Sequence, residues 1–208
     1  MIESNKIYLW DAANTLFLER WQHPDYKSFD DYVASKFPDG KFNNLDYERV
    51  YEEAYQNEYF KICINDCLVE LLSWTKNNYV VTSGTPEQNN IRRDIILTRD
   101  GVDISNYLLG VISSFDYHDG LTNNAKNEEF WLRLLKKKCQ EGYNEIIYAD
   151  DKLSGVDSFY KAAKQLNYSK LIVRGYHLKN DNIGFKNVDN YWEAGSLLDI
   201  LTNEKKLN

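Results

Sequence analysis

Lys6-Ile7-Tyr8-Leu9-Trp10-Asp11-Ala12-Ala13-Asn14-Thr15-Leu16 joins a nearly unbroken apolar run to a turn of acidic, small and polar residues. A run that is continuous, not alternating, suits a strand covered on both faces, as in a parallel sheet. In an open parallel sheet, ligands bind beyond the carboxyl ends of the strands. Asp11 is the first residue past such an end. It is therefore a candidate nucleophile or metal ligand, against the plainer reading of a loop cap.

Working outward, similar runs occur at Tyr79–Thr82, Leu108–Ile112, Glu145–Ala149 and Lys170–Arg174. Helical patterns lie between them. Ile64 to Lys76 repeats apolar residues near a 3.6 period, and so do Glu128 to Cys139 and Val156 to Leu166. Strand–helix alternation predicts an α/β class with a doubly wound parallel sheet. Residues 18–61 break the rhythm, being rich in Tyr, Asp, Glu and Asn without a strong strand. Ser28–Phe37 and Leu45–Tyr59 read as helices, Ser28 as a cap with Asp31 three residues on, and Pro38-Asp39-Gly40 as the turn between them. The expected organisation is a core domain from 1–17 and 62–208, with a small helical cap over 18–61. Asn203 to Asn208 reads as a frayed polar tail.

The 208 residues are 43% hydrophobic and 27% charged, ordinary proportions for a globular protein. The net charge of −7 and the lack of a dense basic stripe argue against a nucleic-acid partner. Lys136, Lys137 and Lys138, followed by Glu141, read as a solvated helix end. Cys63, Cys67 and Cys139 make no disulfide framework. Cys63 and Cys67, four apart, would share a helix face as small core residues. Glu3 comes early, and Ile7–Trp10 is too short for a signal peptide. No run approaches the roughly 18–20 apolar residues of a membrane span. The expectation is a cytoplasmic protein with no membrane partner, as a monomer or a homodimer.

Three further places carry chemistry. Val81-Thr82-Ser83-Gly84-Thr85-Pro86 puts hydroxyls and free backbone N–H groups between a strand and a helix start, a ready anion site. Thr85 reads as the N-cap and Pro86 as the first helical residue, which leaves Thr82 and Ser83 facing the crevice. Lys126, in the polar loop Thr122–Asn127, can hold a phosphate or a carboxylate, although a lone surface lysine is the default reading. Ala149-Asp150-Asp151-Lys152 ends an apolar strand in two adjacent carboxylates, which are costly to bury without a cation. A hard divalent ion with oxygen ligands relieves that repulsion.

In this order, an Asp after a strand, a hydroxyl after a strand, a Lys in a loop and an acidic pair after a strand, the chain resembles the haloacid dehalogenase-like (HAD) hydrolase superfamily. The resemblance spans nearly the whole sequence. The family's first motif, Asp-x-Asp-x-Thr-hydrophobic, stands here as Asp11-Ala12-Ala13-Asn14-Thr15-Leu16. Thr82 matches the second motif, Lys126 the third with Asn127 in a place often held by Pro, and Asp150-Asp151 the fourth. The insertion looks like a short form of the family's first-position cap.

The resemblance implies a Rossmannoid core, Asp11 as the nucleophile that forms a covalent ester, Thr82 bonding the transferring group and Lys126 steadying the developing charge. It implies Mg²⁺ held by Asp11, the Ala13 backbone carbonyl, Asp150 and Asp151, directly or through water. Ser83, Gly84 and Asn14 fall where the substrate would be bound, and the implied substrate is a phosphorylated small molecule. The departure is Ala13: the family's second Asp, which protonates the leaving group and later activates water, is absent. Losing a general acid or base costs about 10²–10⁴-fold. Three readings follow. One is a Mg²⁺-dependent phosphohydrolase whose acid comes from elsewhere, with Glu19, His23 and Asp25 as candidates. Another is a dehalogenase- or phosphonatase-like hydrolase acting at carbon, since such enzymes also lack the second Asp. The last is an inactive HAD-fold binding protein, with the tyrosines at 26, 32, 47, 51, 55 and 59 as a contact face. At helical spacing, Tyr47, Tyr51 and Tyr55 read more simply as packing residues.

Overall fold

The fold was analysed in a computed structural model that describes residues 5–65, 67–117, 125–181, 184–188 and 190–207. The chain runs β1 (Lys6–Trp10), β2 (Phe17–Trp21), α1 (Phe29–Lys36), α2 (Asn44–Gln56), β3 (Phe60–Ile64), α3 (Leu68–Thr75), β4 (Asn78–Thr82), α4 (Pro86–Asp100), β5 (Leu108–Ser113), α5 (Glu128–Gln140), β6 (Glu145–Asp150), α6 (Leu153–Leu166), β7 (Ile172–Leu178), β8 (Phe185–Val188), β9 (Tyr191–Ala194) and α7 (Leu197–Leu207).

Seven strands form one sheet in the order β5-β4-β1-β6-β7-β9-β8, parallel except for β8. β1 lies between β4 and β6, so it is covered on both faces and Ile7, Tyr8, Leu9 and Trp10 are all buried. Alternate residues feed two cores. Tyr8 and Trp10 join one with α3, α4 and α7, whereas Ile7 and Leu9 join the other with α5 and α6. This is the doubly wound α/β class that the sequence predicts. The carboxyl ends of β1, β4 and β6 lie side by side, which sets Asp11, Thr82 and Asp150 on one edge.

Local signals behave as read at several ends. The Ser28 hydroxyl accepts from the Asp31 N–H at 3.1 Å, and Thr85 caps α4 with Pro86 in its first turn. Six expectations need correction. The 18–61 segment is not free of strands: β2 and β3 at its two ends pair antiparallel as a separate two-stranded sheet, Phe17 opposite Ile64 and Trp21 opposite Phe60. That pairing takes Ile64 out of the expected 64–76 helix, so α3 starts only at Leu68. Cys63 therefore lies in a strand and Cys67 at a left-handed helix cap (φ 61°), and the two share no helix face. The strand expected at Lys170–Arg174 begins at Ile172 and runs to Leu178, because Leu171 closes a turn onto Tyr168. Lys138 is not solvated: its buried ammonium donates to Glu141 at 2.8 Å and lies 4.1 Å from the Tyr79 ring centre. Residues 203–207 are the end of α7 and not a frayed tail. Buried Glu204 accepts there from the Tyr176 hydroxyl (2.6 Å), the Tyr8 hydroxyl (3.1 Å) and Arg174 (2.8 and 2.9 Å).

The tyrosines of residues 17–64 pack in a ring cluster with Trp21, Phe29 and Phe60. Tyr32 and Tyr55 are buried, and Tyr47 and Tyr51 reach a cavity described below. No helix among the described residues is long and apolar enough to cross a membrane.

Candidate active site

A cavity of about 540 Å³ opens at the carboxyl ends of β1, β4 and β6. It brings together the nine residues that the motifs and the strand ends single out: Asp11, Ala13, Asn14, Thr82, Ser83, Gly84, Lys126, Asp150 and Asp151 all line it. Thr122, Asn123 and Asn124 of the polar loop lie outside the described residues.

Asp11 is placed by its own strand. Its N–H donates to the Ala149 carbonyl at 2.9 Å, continuing the ladder one residue past β1. The chain then turns sharply: Leu16 and Phe17 N–H both return to the Ala12 carbonyl, and Asn14 takes a positive φ of 57°. Thr15 is buried by the turn, with its hydroxyl 3.4 Å from Asp11 Oδ2. Asn14 lines the cavity, but its side-chain oxygen accepts from the Glu19 N–H (3.3 Å) and its carbonyl from Asn180 (2.6 Å). Those contacts make it part of the turn's own hydrogen bonding.

At the end of β4 the Thr82 Oγ1 accepts from the Gly84 N–H at 3.0 Å, which leaves its hydroxyl proton to donate into the cavity. The missing side chain at Gly84 leaves room for the Gln88 amide. A Cβ there would strike the Gln88 side-chain oxygen and come within 3.4 Å of Thr82 Oγ1. Gln88 therefore lies directly over Gly84, beside the threonine hydroxyl.

Lys126 is buried between two carboxylates: it donates to Asp11 and sits 2.9 Å from Asp150 Oδ2. Asp150 also accepts from the Tyr148 hydroxyl and, at 2.8 Å, from the Lys152 N–H. Burial alone would push Asp150 up, but these donors hold it below the ordinary carboxylate range. Asp11 and Asp151 go the other way. Burial and then the neighbouring carboxylates outweigh their cations, and the groups are pushed up to about 6 and about 7. The Lys126 ammonium is held charged by the same two carboxylates against its own burial.

Carboxylate oxygens of Asp11, Asp150 and Asp151 lie within 4.8 Å of one another. Three hard oxygen donors, two of them raised toward neutral pH by burial and by their carboxylate neighbours, are a donor set that fits a hard divalent cation. The Ala13 residue borders the same space.

The acids expected to replace the missing one are elsewhere. None of Glu19, His23 and Asp25 lines this cavity. Glu19 accepts from Tyr51 (2.7 Å), Tyr55 (2.5 Å) and Arg92 (2.5 Å), which ties its carboxylate into the contact between β2, α2 and α4. His23 Nδ1 accepts from the Asp25 N–H, and its ring packs on Trp21 and Tyr59. Sequence reasoning missed Glu48, Gln88 and Arg92, which form the opposite wall with Tyr47 and Tyr51. The one signal for them was indirect: Glu48, Tyr47 and Tyr51 share a face of α2, and Gln88 and Arg92 share a face of α4.

No protein-family model matches the sequence, and no curated protein matches it significantly. Solved structures do match. The UTR4 protein of Saccharomyces cerevisiae superposes with a TM-score of 0.52 at 11% identity, covering 91% of this chain and 97% of the yeast one. The Legionella pneumophila effector Ceg4, crystallised with an N-terminal yeast Hog1p sequence, gives 0.49 at 14% identity over 100% and 97%. A HAD family enzyme of Bacteroides thetaiotaomicron, described as a magnesium complex, gives 0.43 at 12% identity over 82% and 92%. At these identities the likeness to UTR4 is one of fold: the chain shares a mostly parallel, doubly wound α/β architecture with it end to end.

Proposed function

We propose that the protein is a HAD-like hydrolase, a Mg²⁺-dependent phosphohydrolase that acts on a phosphorylated small molecule through an aspartyl-phosphate intermediate. The observation that carries this reading is the meeting of Asp11, Lys126 and Asp150 in one buried contact, with Thr82 and Asp151 on the same cavity wall. A carboxylate pinned by an ammonium and flanked by two more carboxylates is arranged for attack on an electrophile that carries negative charge. The Thr82 hydroxyl is free to bond a phosphoryl oxygen, and Lys126 is placed to balance charge as it develops. Asp11, Asp150, Asp151 and the Ala13 carbonyl would hold the cation, which supplies charge neutralisation between the nucleophile and the phosphate. In this reading residues 18–61 are the cap: α2 forms the cavity's far wall and narrows what can enter. The acidic trio also favours phosphoryl transfer over dehalogenation, because displacing a halide from carbon presents no phosphate charge for a divalent cation to neutralise.

The test is turnover of para-nitrophenyl phosphate, with and without Mg²⁺, beside an Asp11→Asn control. Mg²⁺-dependent release of nitrophenol that the substitution abolishes is the expected result. Release no faster than that control would refute the reading, and 2-haloacids would be tried next.

A further inference from the structure

Ala13 leaves the proposed reaction without the group that protonates the leaving oxygen, and the cavity holds a replacement. The described residues that line it include four carboxyl side chains. Three are the clustered Asp11, Asp150 and Asp151; the fourth is Glu48 of α2, which stands outside that cluster. Glu48 comes from the second turn of α2, a helix fixed at its start by a reciprocal capping box between Asn43 and Asp46. Its side chain is buried and hydrogen-bonded to the Gln88 amide, and it also accepts from the Thr85 backbone N–H at the start of α4. Gln88 lies over Gly84, beside the Thr82 hydroxyl. The carboxyl is thus joined through one amide to the part of the cavity where the transferring group would bind.

Several other proton carriers on the wall are committed. Lys126 is paired with Asp11 and Asp150. Tyr51 donates to Glu19, and burial pushes the Tyr47 hydroxyl up to about 12. Asp151 belongs to the cation-binding trio and would be ionised with a cation bound. Glu48 faces Arg92 and Gln88 from α4 and Tyr47, Tyr51 and Glu52 from its own helix. Burial, reinforced by Glu52 and opposed by Arg92, pushes its carboxyl up to about 7, where one group can both give and take a proton.

We infer that Glu48, reaching the site from the inserted helix α2, is the general acid and base that takes the place of the Asp missing at Ala13. The inference rests on the phosphohydrolase reading. In the first step an Asp11 oxygen bonds to phosphorus, the bond from phosphorus to the leaving oxygen breaks, and that oxygen takes the Glu48 proton. In the second, the Glu48 carboxylate takes a proton from water as the water oxygen bonds to phosphorus. The phosphorus–Asp11 bond then breaks, which frees Asp11 and phosphate and returns Glu48 to its acid form.

The experiment compares wild type with Glu48→Gln, a change that keeps the shape and the bond to Gln88, on para-nitrophenyl phosphate and on ethyl phosphate. Ethoxide needs a proton to leave, whereas nitrophenolate does not. Glu48→Gln should lower ethyl phosphate turnover by about 10²–10⁴-fold. On the aryl ester it should release nitrophenol in a burst of one equivalent and then turn over slowly, because the phospho-enzyme lacks its base. Ala13→Asp placed on top of Glu48→Gln should restore ethyl phosphate turnover, and that rescue serves even where Glu48→Gln also weakens the fold. Equal losses on both esters with no burst, or no change at all, would overturn the role of Glu48 while Asp11-dependent aryl turnover keeps the phosphohydrolase reading standing. Absence of Asp11-dependent turnover in the wild type would overturn both.

Discussion

Lys126 Nζ stands 2.9 Å from Asp150 Oδ2 and donates at the same time to Asp11, so one buried ammonium balances two of three clustered carboxyls. Removing one partner from a buried ion pair leaves the other uncompensated, at a cost of about 3–5 kcal/mol. Lys126→Met should therefore destabilise the metal-free protein by about that much at pH 8 in urea unfolding. The loss should shrink toward pH 5, where the carboxyls can take up protons. A loss that is the same at both pH values would mean that charge is not what Lys126 contributes.

The same cluster gives Mg²⁺ binding a predictable pH dependence. Asp11 and Asp151 are raised above ordinary carboxyls, to about 6 and about 7. In the metal-free fold they keep protons that the unfolded chain has released, so their contribution to stability is present at acid pH and is lost as pH rises through 6 and 7. A cation needs both as carboxylates. The rise in melting temperature caused by millimolar Mg²⁺ should be small at pH 5 and should grow steadily to pH 8, with proton release on binding measurable by calorimetry in two buffers. An equal rise at both ends, or none at all beside a working control ligand, would count against this cluster as the cation site.

Gly155 offers a test of how tightly Asp150 is placed. A Cβ at 155 would overlap Asp150 Oδ2, approach its Cγ to 2.9 Å and come within 3.3 Å of the Tyr148 hydroxyl. Gly155 lies inside α6, where alanine is the better helix former by about 1 kcal/mol. Gly155→Ala should therefore change the melting temperature little while weakening Mg²⁺ binding and para-nitrophenyl phosphate turnover by about tenfold or more, the scale of displacing a group that orients a metal site. Titration calorimetry separates the two effects. Unchanged Mg²⁺ affinity would show that Asp150 can shift without consequence.

How much of this was legible in the sequence follows from where each residue sits. Asp11, Thr82 and Asp150 could be found because they immediately end strands buried on both faces, and such strands announce themselves as unbroken apolar runs. Lys126 has no such marker and was picked out only by its place in a known order of motifs. Glu48, Gln88 and Arg92 were invisible because they lie on amphipathic helices, where a polar residue ordinarily faces water; only the packing of α2 against α4 turns that face inward. Glu204 failed for a related reason: a polar end reads as a tail until Arg174, Tyr8 and Tyr176 are seen converging on it. β2 was missed because Phe17-Leu18-Glu19-Arg20-Trp21 places two charges in the middle of a five-residue strand, and one of them is spent on a buried partner.

That buried partner is Arg92, whose Nε lies 2.5 Å from Glu19 Oε1, both side chains being almost wholly enclosed. The pair joins β2 to α4, and Tyr51 and Tyr55 of α2 donate to the same carboxylate, so one ionic knot fastens three elements around the cavity wall. Arg92→Met strands a buried carboxylate and should cost about 3–5 kcal/mol. Replacing both charges, Arg92→Met with Glu19→Gln, leaves the tyrosine hydroxyls an amide oxygen to bond and should recover much of that loss, giving a coupling of about 1–3 kcal/mol in a double-mutant cycle. Because Arg92 also lines the cavity, the double variant should regain stability without regaining full activity: KM for para-nitrophenyl phosphate should stay raised while kcat recovers. A double variant no more stable than the single one would show that Glu19 does not need its charge balanced. Full recovery of KM would instead confine Arg92 to holding the three elements together.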